Sequence, residues 1–251
     1  MLTKDQIDEY NENGFTILDY KLPEDDLEDI KSAHKSLTDK HPEYIDYCPM
    51  LLAHDLNFLK YARDKNILEC VSQVIGPDIA LWNQSFFAKP AIDGKATPWH
   101  QDGQYWPIRP IATTTIWLAI DETTEENGCL EFIPGSHKLK QTKAHQTNNN
   151  PNYNLNQELD EDVDPNKAYK LCLKPGQMSL HDVFLVHGSK QNTSNKPRRG
   201  MTMRFMPTTS YYDRDLAKTI ATNNNIDHSN RTLFLMSGED RSKKNDFIQR
   251  N

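Results

Sequence analysis

The spacing of hydrophobic residues changes near residue 78 from the period of a helix to that of a strand. Before that point apolar residues recur every three or four positions, as they do on one face of an α-helix. Thr3 and Gln6 have the spacing of a capping box, and Gly14 is placed to end the helix that the box begins. The pattern predicts one helix over 4–13, a second that begins after Pro23 and carries Leu27, Ile30, Ala33 and Leu37 on one face, and a third that carries Ile67, Val71 and Ile75.

From residue 79 onward the pattern is a series of short apolar segments separated by turn residues such as Pro134-Gly135 and Pro175-Gly176. The predicted strands are 79–88, 113–120, 129–133, 168–173, 178–181, 183–186 and 200–206, with an earlier one over 15–20. Many short strands after a helical segment indicate a mainly β fold with flanking helices. We expect a cupin-like jelly-roll core whose helices pack outside one sheet.

The segment 138–166 differs from the rest of the chain because it is polar, rich in Asn and Gln, and nearly without large apolar residues. A connection of this length inside a compact domain is usually a functional cover or a solvated insertion, and both interpretations stay open. The expected organisation is a single catalytic domain over 1–251, with a helical lead-in over 1–78, a jelly-roll core over 79–207 that contains the insertion 138–166, and a C-terminal extension over 208–251.

The amino-acid composition argues against some classes of binding partner. The chain has 29 Lys and Arg residues against 36 Asp and Glu residues, and this net charge of -7 argues against nucleic acid or an anionic membrane. No apolar run approaches the roughly 18 residues that span a bilayer. The four cysteines are scattered, which is typical of reduced thiols in a cytoplasmic protein. We therefore expect a cytoplasmic protein that binds a small molecule, whereas the sequence does not indicate an oligomeric state.

The segment His100-Gln101-Asp102 is the most informative chemical feature of the sequence. Residues two apart on a strand point to the same side, so His100 and Asp102 can reach one metal ion while Gln101 points away. His187 follows Asp102 by 85 residues, and Arg198 follows 11 residues later. Two histidines and one carboxylate form a ligand set that leaves positions open on a mononuclear iron(II) centre. An arginine can hold the far carboxylate of a small diacid on that metal, which predicts an iron(II)- and 2-oxoglutarate-dependent oxygenase.

These residues lie in three blocks that resemble the phytanoyl-CoA dioxygenase family. The blocks are Trp99-His100-Gln101-Asp102-Gly103-Gln104-Tyr105-Trp106-Pro107, then Trp117-Leu118-Ala119-Ile120-Asp121 leading into Asn127-Gly128-Cys129-Leu130 and Ile133-Pro134-Gly135-Ser136-His137, and finally His187-Gly188-Ser189 through Pro197-Arg198-Arg199. All three blocks occur in the family's order and at its approximate spacings. The start of the chain also resembles that of the family, so the resemblance covers roughly residues 1–207.

The resemblance implies a double-stranded β-helix fold and a non-haem iron dioxygenase that consumes 2-oxoglutarate and O₂. It implies that Fe²⁺ is bound by His100, Asp102 and His187. It also implies that Arg198 binds the C5 carboxylate of 2-oxoglutarate, because the family's offset from the distal histidine selects Arg198 over Arg199. Further positions that match the family near the cosubstrate are Ser189, Gln101 and Trp117.

Residues around these blocks are candidates for a substrate pocket. Some alternate along the predicted strand 79–88, others follow the first two iron ligands, and one lies beyond Arg198 on its strand. The candidates are Trp82, Gln84, Phe86, Gln104, Tyr105, Trp106, Arg109 and Arg204. Arg109 or Arg204 would suit a small metabolite that carries a carboxylate or phosphonate. No basic cluster suits the phosphates of coenzyme A, so we do not expect an acyl-CoA substrate.

Two functions are compatible with the sequence. The favoured one is an enzyme that hydroxylates, or otherwise oxidises, an unactivated C–H bond of a small organic metabolite and releases succinate and CO₂. The alternative is a non-catalytic jelly-roll protein that binds metal and 2-oxoglutarate as a sensor or binding protein. Retention of all three ligands and Arg198 favours the enzyme. His181, six residues before His187, is compatible with a place beside the site and with a structural role.

Overall fold

The computed structural model describes residues 1–224 and 228–250, and its N-terminal part is helical. Helix α1 (Lys4–Asn13) begins with a capping box: Thr3 Oγ1 accepts from the backbone N of Gln6 at 3.2 Å, and Gln6 Oε1 accepts from the backbone N of Thr3 at 2.9 Å. Gly14 ends this helix at φ 87°, so the predicted start and stop are confirmed. The other helices are α2 (Glu24–Lys40), α3 (Leu51–His54), α4 (Leu59–Ala62), α5 (Lys65–Ile75) and α6 (Arg214–Asn224), with 3-10 turns at Pro42–Tyr44, Leu56–Phe58, Asp102–Tyr105 and Pro165–Lys167. Within the described residues, none of these helices is long and apolar enough to cross a membrane.

Fifteen strands among the described residues form two main antiparallel sheets and two small strand pairs. The strands are β1 (Phe15–Ile17), β2 (Tyr47–Cys48), β3 (Ile79–Lys89), β4 (Thr97–His100), β5 (Ile108–Arg109), β6 (Thr114–Ala119), β7 (Leu130–Phe132), β8 (His145–Thr147), β9 (Gln157–Leu159), β10 (Tyr169–Leu171), β11 (Met178–Asp182), β12 (His187–Ser189), β13 (Arg198–Pro207), β14 (Tyr211–Tyr212) and β15 (Phe234–Ser237). The larger sheet has the order β1-β11-β6-β13-β3-β15, with β2 also paired to β3. The smaller sheet has the order β10-β7-β12-β4, and β14-β5 and β8-β9 pair separately.

The two main sheets pack face to face around a small apolar core. Phe15 and Trp117 of the larger sheet contact Leu130, Phe132 and their neighbours in the smaller sheet. Two antiparallel sheets joined in this way form a jelly roll. The expected mainly β, double-stranded β-helix fold with flanking helices is therefore confirmed.

The helices cover the other face of the larger sheet. On β13 the side chains of Met201, Met203 and Phe205 are buried against the helical layer, in the same core as Ile30 of α2 and Ile67 of α5. Because side chains alternate along a strand, the residues between those three face the smaller sheet instead. The larger sheet thus presents one apolar face to the helices and one partly polar face to the interior of the jelly roll.

Strand β3 contains a bulge that changes which side its residues face. Asn83 pairs with Arg204, but Leu81 pairs with the very next residue of β13, so Trp82 is an extra residue on β3. One inserted residue reverses the alternation of the side chains that follow. Beyond the bulge, the side chains of Gln84 and Phe86 point into the helical layer. Those of Asn83, Ser85 and Phe87 point into the interior of the jelly roll.

Most predicted strands are present, and the clearest error concerns 183–186. There the chain turns, with Leu185 N donating to Asp182 O at 3.0 Å, and the next strand begins at His187. The pattern also missed short polar strands such as β4, β8 and β9, which have too few apolar residues to show a period. Strands β1 and β15 join the larger sheet from outside the 79–207 region in which the core was expected.

Candidate active site

Antiparallel pairing of two short strands brings the two candidate histidines together. His100 at the end of β4 lies opposite His187 at the start of β12, with ring centroids 4.2 Å apart. Asp102 follows at the start of a 3-10 turn, and its Oδ1 lies 3.7 Å from Nε2 of His100. One donor atom from each of the three residues lies within 4.8 Å of the other two. These three side chains could therefore hold one metal ion.

Backbone carbonyls fix the orientation of both imidazole rings. Nδ1 of His100 lies 2.8 Å from the carbonyl oxygen of Pro98, and Nδ1 of His187 lies 2.9 Å from that of Leu185. A ring that donates from Nδ1 has its lone pair on Nε2, which is then the atom available to a metal. The chain thus positions each ring through the residue two places before it.

The surroundings favour the protonation states that bind a metal. Burial and, to a smaller extent, the neighbouring His100 lower the pKa of His187 to about 3. Burial alone would raise the pKa of Asp102, but the hydrogen bond from His100 and the charge of Arg204 hold that pKa well below its ordinary value. A neutral imidazole and an ionised carboxylate are the forms that metal binding requires.

A small inner cavity of about 30 Å³ extends from these three residues toward Arg198. The Arg198 side chain is only 1% exposed, and its Nε and Nη2 donate to the Gly128 carbonyl at 3.0 and 2.6 Å. Its guanidinium lies 5.2 Å from the ring of Trp117, and burial lowers its pKa to about 10, so it stays positive at neutral pH. Arg199 points to the other side of β13 and pairs with Asp121 at 2.8 Å.

Three buried polar atoms in or next to the inner cavity have no hydrogen-bond partner among the described residues. They are Thr115 Oγ1, His181 Nδ1 and Ser189 Oγ. The ring of His181 lies 5.3 Å from that of His187, and burial lowers its pKa to about 4. A buried polar group without a partner costs about 1–3 kcal/mol, which a polar ligand would relieve. These atoms therefore fit a polar cosubstrate that lies between the histidines and Arg198.

A larger outer cavity of about 460 Å³ opens on the other side of His100 and Asp102. Four of the predicted substrate residues line it, and they are Trp82, Tyr105, Trp106 and Arg204. The opposite wall is residues 148–150 and 153–157, which belong to the polar insertion. A cavity of this size with aromatic and polar walls suits a small organic molecule.

The other four substrate candidates lie elsewhere in the described part of the chain. Gln84 faces the helices and donates from Nε2 to the Phe58 carbonyl at 3.0 Å. Phe86 is buried in the same helical core. Gln104 is exposed, and Arg109 donates to two nearby backbone carbonyls at 3.1 and 2.7 Å. The bulge in β3 explains the first two placements.

Sequence reasoning missed five residues of the outer cavity. They are Tyr47, Asn83, Phe87, His228 and Arg231. Two of them were hidden by the bulge, because an inserted residue leaves no mark in an otherwise uniform strand pattern. Arg231 lies in the C-terminal extension 208–251, where no motif in the sequence indicated a role.

Gln101 contacts the insertion and not the inner cavity. Its Oε1 accepts from the backbone N of Lys143 at 2.7 Å, and its Nε2 donates to the carbonyls of Phe184 and Gln141 at 2.6 and 3.3 Å. Its own backbone N donates to Nε2 of His145 at 3.0 Å. This residue therefore ties the base of the insertion to the segment that carries His100 and Asp102.

Comparison with known proteins gives consistent matches. A model of the family described as Phytanoyl-CoA dioxygenase (PhyH) matches residues 1–200. The human peroxisomal phytanoyl-CoA dioxygenase is 26% identical over 238 residues, which cover 84% of this chain and 70% of the human protein. A probable alpha-ketoglutarate-dependent hypophosphite dioxygenase of Stutzerimonas stutzeri is 32% identical over 145 residues, which cover 57% of this chain and 50% of that protein. EvdO2 of Micromonospora carbonacea var. aurantiaca, solved with 2-oxoglutarate, has a TM-score of 0.66 at 23% identity, covering 82% of this chain and 91% of that one.

The jelly-roll fold, the buried cluster of two histidines and one carboxylate, and these matches define the class of protein. It is a 2-oxoglutarate-dependent non-haem iron dioxygenase, a class that uses Fe²⁺, 2-oxoglutarate and O₂. The family match covers more than half of the chain, and the chain belongs to the phytanoyl-CoA dioxygenase family.

Proposed function

We propose that the chain oxidises an unactivated C–H bond of a small organic molecule, usually by hydroxylation, with consumption of 2-oxoglutarate and O₂ and release of succinate and CO₂. The observation that carries this proposal is the position of His100, Asp102 and His187. All three line the inner cavity that ends at Arg198, and His100 and Asp102 also line the outer cavity. A metal ion held by them would be accessible to a cosubstrate on one side and a substrate on the other.

The three ligands are proposed to bind Fe²⁺ through Nε2 of His100, Nε2 of His187 and the carboxylate of Asp102. Three ligands on one face of a six-coordinate ion leave three positions for other groups. Bound there with 2-oxoglutarate, the iron would supply the oxidative chemistry of the reaction. The chain holds the two imidazoles in place through the carbonyls of Pro98 and Leu185.

Arg198 is proposed to bind the C5 carboxylate of 2-oxoglutarate. Its Nε and Nη2 are already held by Gly128, so the guanidinium has a fixed position, and its planar shape matches a carboxylate. Trp117 packs against this guanidinium, and Ser189 offers a hydroxyl without a partner in the described structure. Gln101 would act indirectly, by holding the insertion.

The outer cavity is proposed to bind the substrate. Trp82 and Trp106 meet edge to face at 4.6 Å and give it an apolar wall beside the charged Arg204. The insertion residues opposite would keep water away from the reaction. Strands β1 and β15 complete the larger sheet, and the insertion completes the outer cavity. We therefore also propose that residues 1–251 act as one catalytic domain.

A screen of small metabolites with iron-loaded protein tests this function. We expect succinate formation above the substrate-free background with at least one compound, together with an oxidised product. His187→Ala should abolish this activity, whereas His54→Ala should not, because His54 is an exposed residue of α3 far from the cluster in sequence. Succinate formation that is equal in the wild type and in His187→Ala would contradict the proposal.

The non-catalytic alternative gives a different result in the same screen. A sensor would bind iron and 2-oxoglutarate, and His187→Ala would weaken that binding, but no compound would increase succinate formation. The two functions are therefore separated by turnover and not by binding.

A further inference from the structure

Two buried arginines line the outer cavity, and neither has a carboxylate within ion-pair distance among the described residues. Arg204 is only 5% exposed and Arg231 only 6% exposed, and both line the cavity. Neither forms an ion pair with any residue in the described part of the chain. Buried arginines are rare unless they are paired with a negative charge, so a negatively charged partner is expected here.

The groups that contact the two guanidiniums inside the protein are neutral. Arg231 donates from Nη1 to Oδ1 of Asn83, and Asn83 donates from Nδ2 to Oγ of Ser85 at 2.9 Å. Arg204 donates from Nη1 to the same Oγ at 2.9 Å. Arg231 also donates from Nη2 to Nδ1 of His228 at 2.9 Å. A short chain of neutral side chains thus joins the two cations and fixes their positions without balancing their charge.

Aromatic rings also lie beside both guanidiniums. The guanidinium of Arg204 lies 5.1 Å from the ring of Trp106 and 5.6 Å from that of Phe87. The guanidinium of Arg231 lies 5.7 Å from the ring of Trp82. Contacts between cations and rings offset only part of the cost of burying a charge. Nε of Arg204 has no partner in the described structure.

The charges of the proposed iron centre do not supply the missing partner. If bound, Fe²⁺ would add its two charges to that of Arg198, and these three would be balanced by Asp102 and by 2-oxoglutarate, which is a dianion. The two positive charges of Arg204 and Arg231 remain. Burial lowers the pKa of Arg231, and the charge of Arg204 adds to this effect, as expected for two like charges held close together in a dry site.

We propose that the substrate is a small organic dianion whose acidic head, a phosphonate or phosphate or a pair of carboxylates, is bound by Arg204 and Arg231. This inference rests on the proposed function, because it names the class of molecule that the outer cavity would present for oxidation. The carbon skeleton of the substrate lies against Trp82 and Trp106. Arg231 and Asn83 are then specificity residues, although neither belongs to a family block.

The test is a calorimetric titration of protein loaded with iron(II) and saturating 2-oxoglutarate without oxygen. The probes are phenylphosphonate, phenylsuccinate and the uncharged phenylmethanol. We expect at least one of the two dianions to bind ten times more tightly than phenylmethanol, and the better one identifies the head group. Equal binding of all three probes, or no binding of either dianion, would overturn the proposal.

Substitutions of single residues test whether the dianion binds at Arg204 and Arg231. Arg204→Gln and Arg231→Gln should each weaken binding of the preferred dianion at least tenfold, whereas Arg109→Gln, which removes a charge from a residue outside the cavity, should change it less than twofold. Asn83→Asp serves as a second route if either glutamine variant does not fold. It places a carboxylate beside Arg231 and should also weaken binding at least tenfold. Unchanged affinity in Asn83→Asp and in the folded glutamine variants overturns the proposal.

The same samples separate this proposal from the proposed function. The visible absorption band of iron(II) with 2-oxoglutarate should form in the wild type and in all these variants, because none of them alters a proposed metal ligand. A normal band with no preference for dianions refutes the substrate class alone. Without any band in the wild type the proposed function fails, and titration of the metal-free protein with the same probes still decides whether Arg204 and Arg231 bind a dianion.

Discussion

Neighbouring arginines on β13 have different partners, and this difference assigns their roles. Arg198 points into the jelly roll, where its contacts are the Gly128 carbonyl and the Trp117 ring. Arg199 points toward the helical side and forms a two-point ion pair with Asp121, with both N–O distances at 2.8 Å. Two residues that are adjacent in sequence thus serve a proposed cosubstrate and the stability of the fold.

Replacing each of these arginines should therefore affect a different property. Arg198→Ala should raise the 2-oxoglutarate concentration needed for half-maximal succinate formation at least thirtyfold, since losing a buried charged partner costs about 2–5 kcal/mol. Arg199→Ala should lower the free energy of unfolding by about 1 kcal/mol, because its ion pair is partly exposed, and leave the 2-oxoglutarate requirement unchanged. Similar kinetic effects in the two variants would mean that the cosubstrate anchor is assigned to the wrong residue.

His34 on α2 gives a prediction about stability and pH. Its ring packs against Phe86 at 4.7 Å, and burial, with a smaller effect of Arg199, lowers its pKa from 6.5 to about 4. The unfolded chain therefore binds a proton at His34 below about pH 6.5, whereas the folded chain does not until about pH 4. Its contribution to stability is present above pH 6.5 and is lost as the pH falls toward 4.

His34→Phe should remove this part of the pH dependence. Between about pH 7 and pH 5 the free energy of unfolding of the wild type should fall by about 1–2 kcal/mol more than that of the variant, measured by urea denaturation at each pH. His41→Phe, at the half-exposed end of the same helix, is the matched control and should behave as the wild type does. Parallel pH profiles for wild type and His34→Phe would contradict the expected shift.

At the scale of the element, the insertion 138–166 is the part of the chain most closely associated with the outer cavity. Its strands β8 and β9 form a hairpin, and the residues between them cover the cavity. Gln101 holds one end of this hairpin, and backbone bonds at 3.0 Å connect Ala96 with Asn152 and Asn154. The hairpin is thus anchored near its base through Gln101 and at its tip through Ala96, and its cavity side is rich in asparagine.

We predict that this hairpin closes over bound substrate. Hydrogen exchange in 148–157 should slow when substrate joins iron and 2-oxoglutarate, because closure would exclude water from the reaction. Exchange in 160–166, which belongs to the same insertion but does not line the outer cavity, should stay the same. A variant that lacks 149–155 should keep metal binding and form succinate without matching oxidised product. Unchanged exchange in 148–157 and a fully coupled deletion variant would make the hairpin a passive insertion.

The secondary-structure elements also show which features could be predicted from the sequence and which could not. The capping box of α1 and the stop at Gly14 depend on neighbouring residues, so they were visible in the sequence. The bulge at Trp82 depends on how β3 pairs with a strand more than a hundred residues away, and no local pattern records it. Two of the three residues predicted on this strand face, Gln84 and Phe86, were consequently assigned to the wrong side.

At the scale of the whole molecule, the inner and outer cavities differ in how far the sequence predicted them. Half of the residues around the inner cavity, among them the proposed metal ligands and Arg198, lie in motif blocks with fixed spacing, so a resemblance locates them together. The outer cavity is built from segments that are distant in sequence: Tyr47 on β2, Asn83 at the bulge, the insertion, and Arg231 near the C-terminus. Only the folded chain brings these segments into contact, so sequence reasoning found four substrate candidates in this cavity but not Asn83 or Arg231.

The central claim is that His100, Asp102 and His187 hold iron together with 2-oxoglutarate. An anaerobic titration of the protein with iron(II) and 2-oxoglutarate, followed by visible absorption, tests it most directly. We predict a weak charge-transfer band in the wild type that saturates at one iron per chain. Asp102→Ala should lose this band but unfold at a similar temperature, since the substitution removes a ligand and little apolar packing. A wild type without the band, or an Asp102→Ala variant with an undiminished one, would contradict the account.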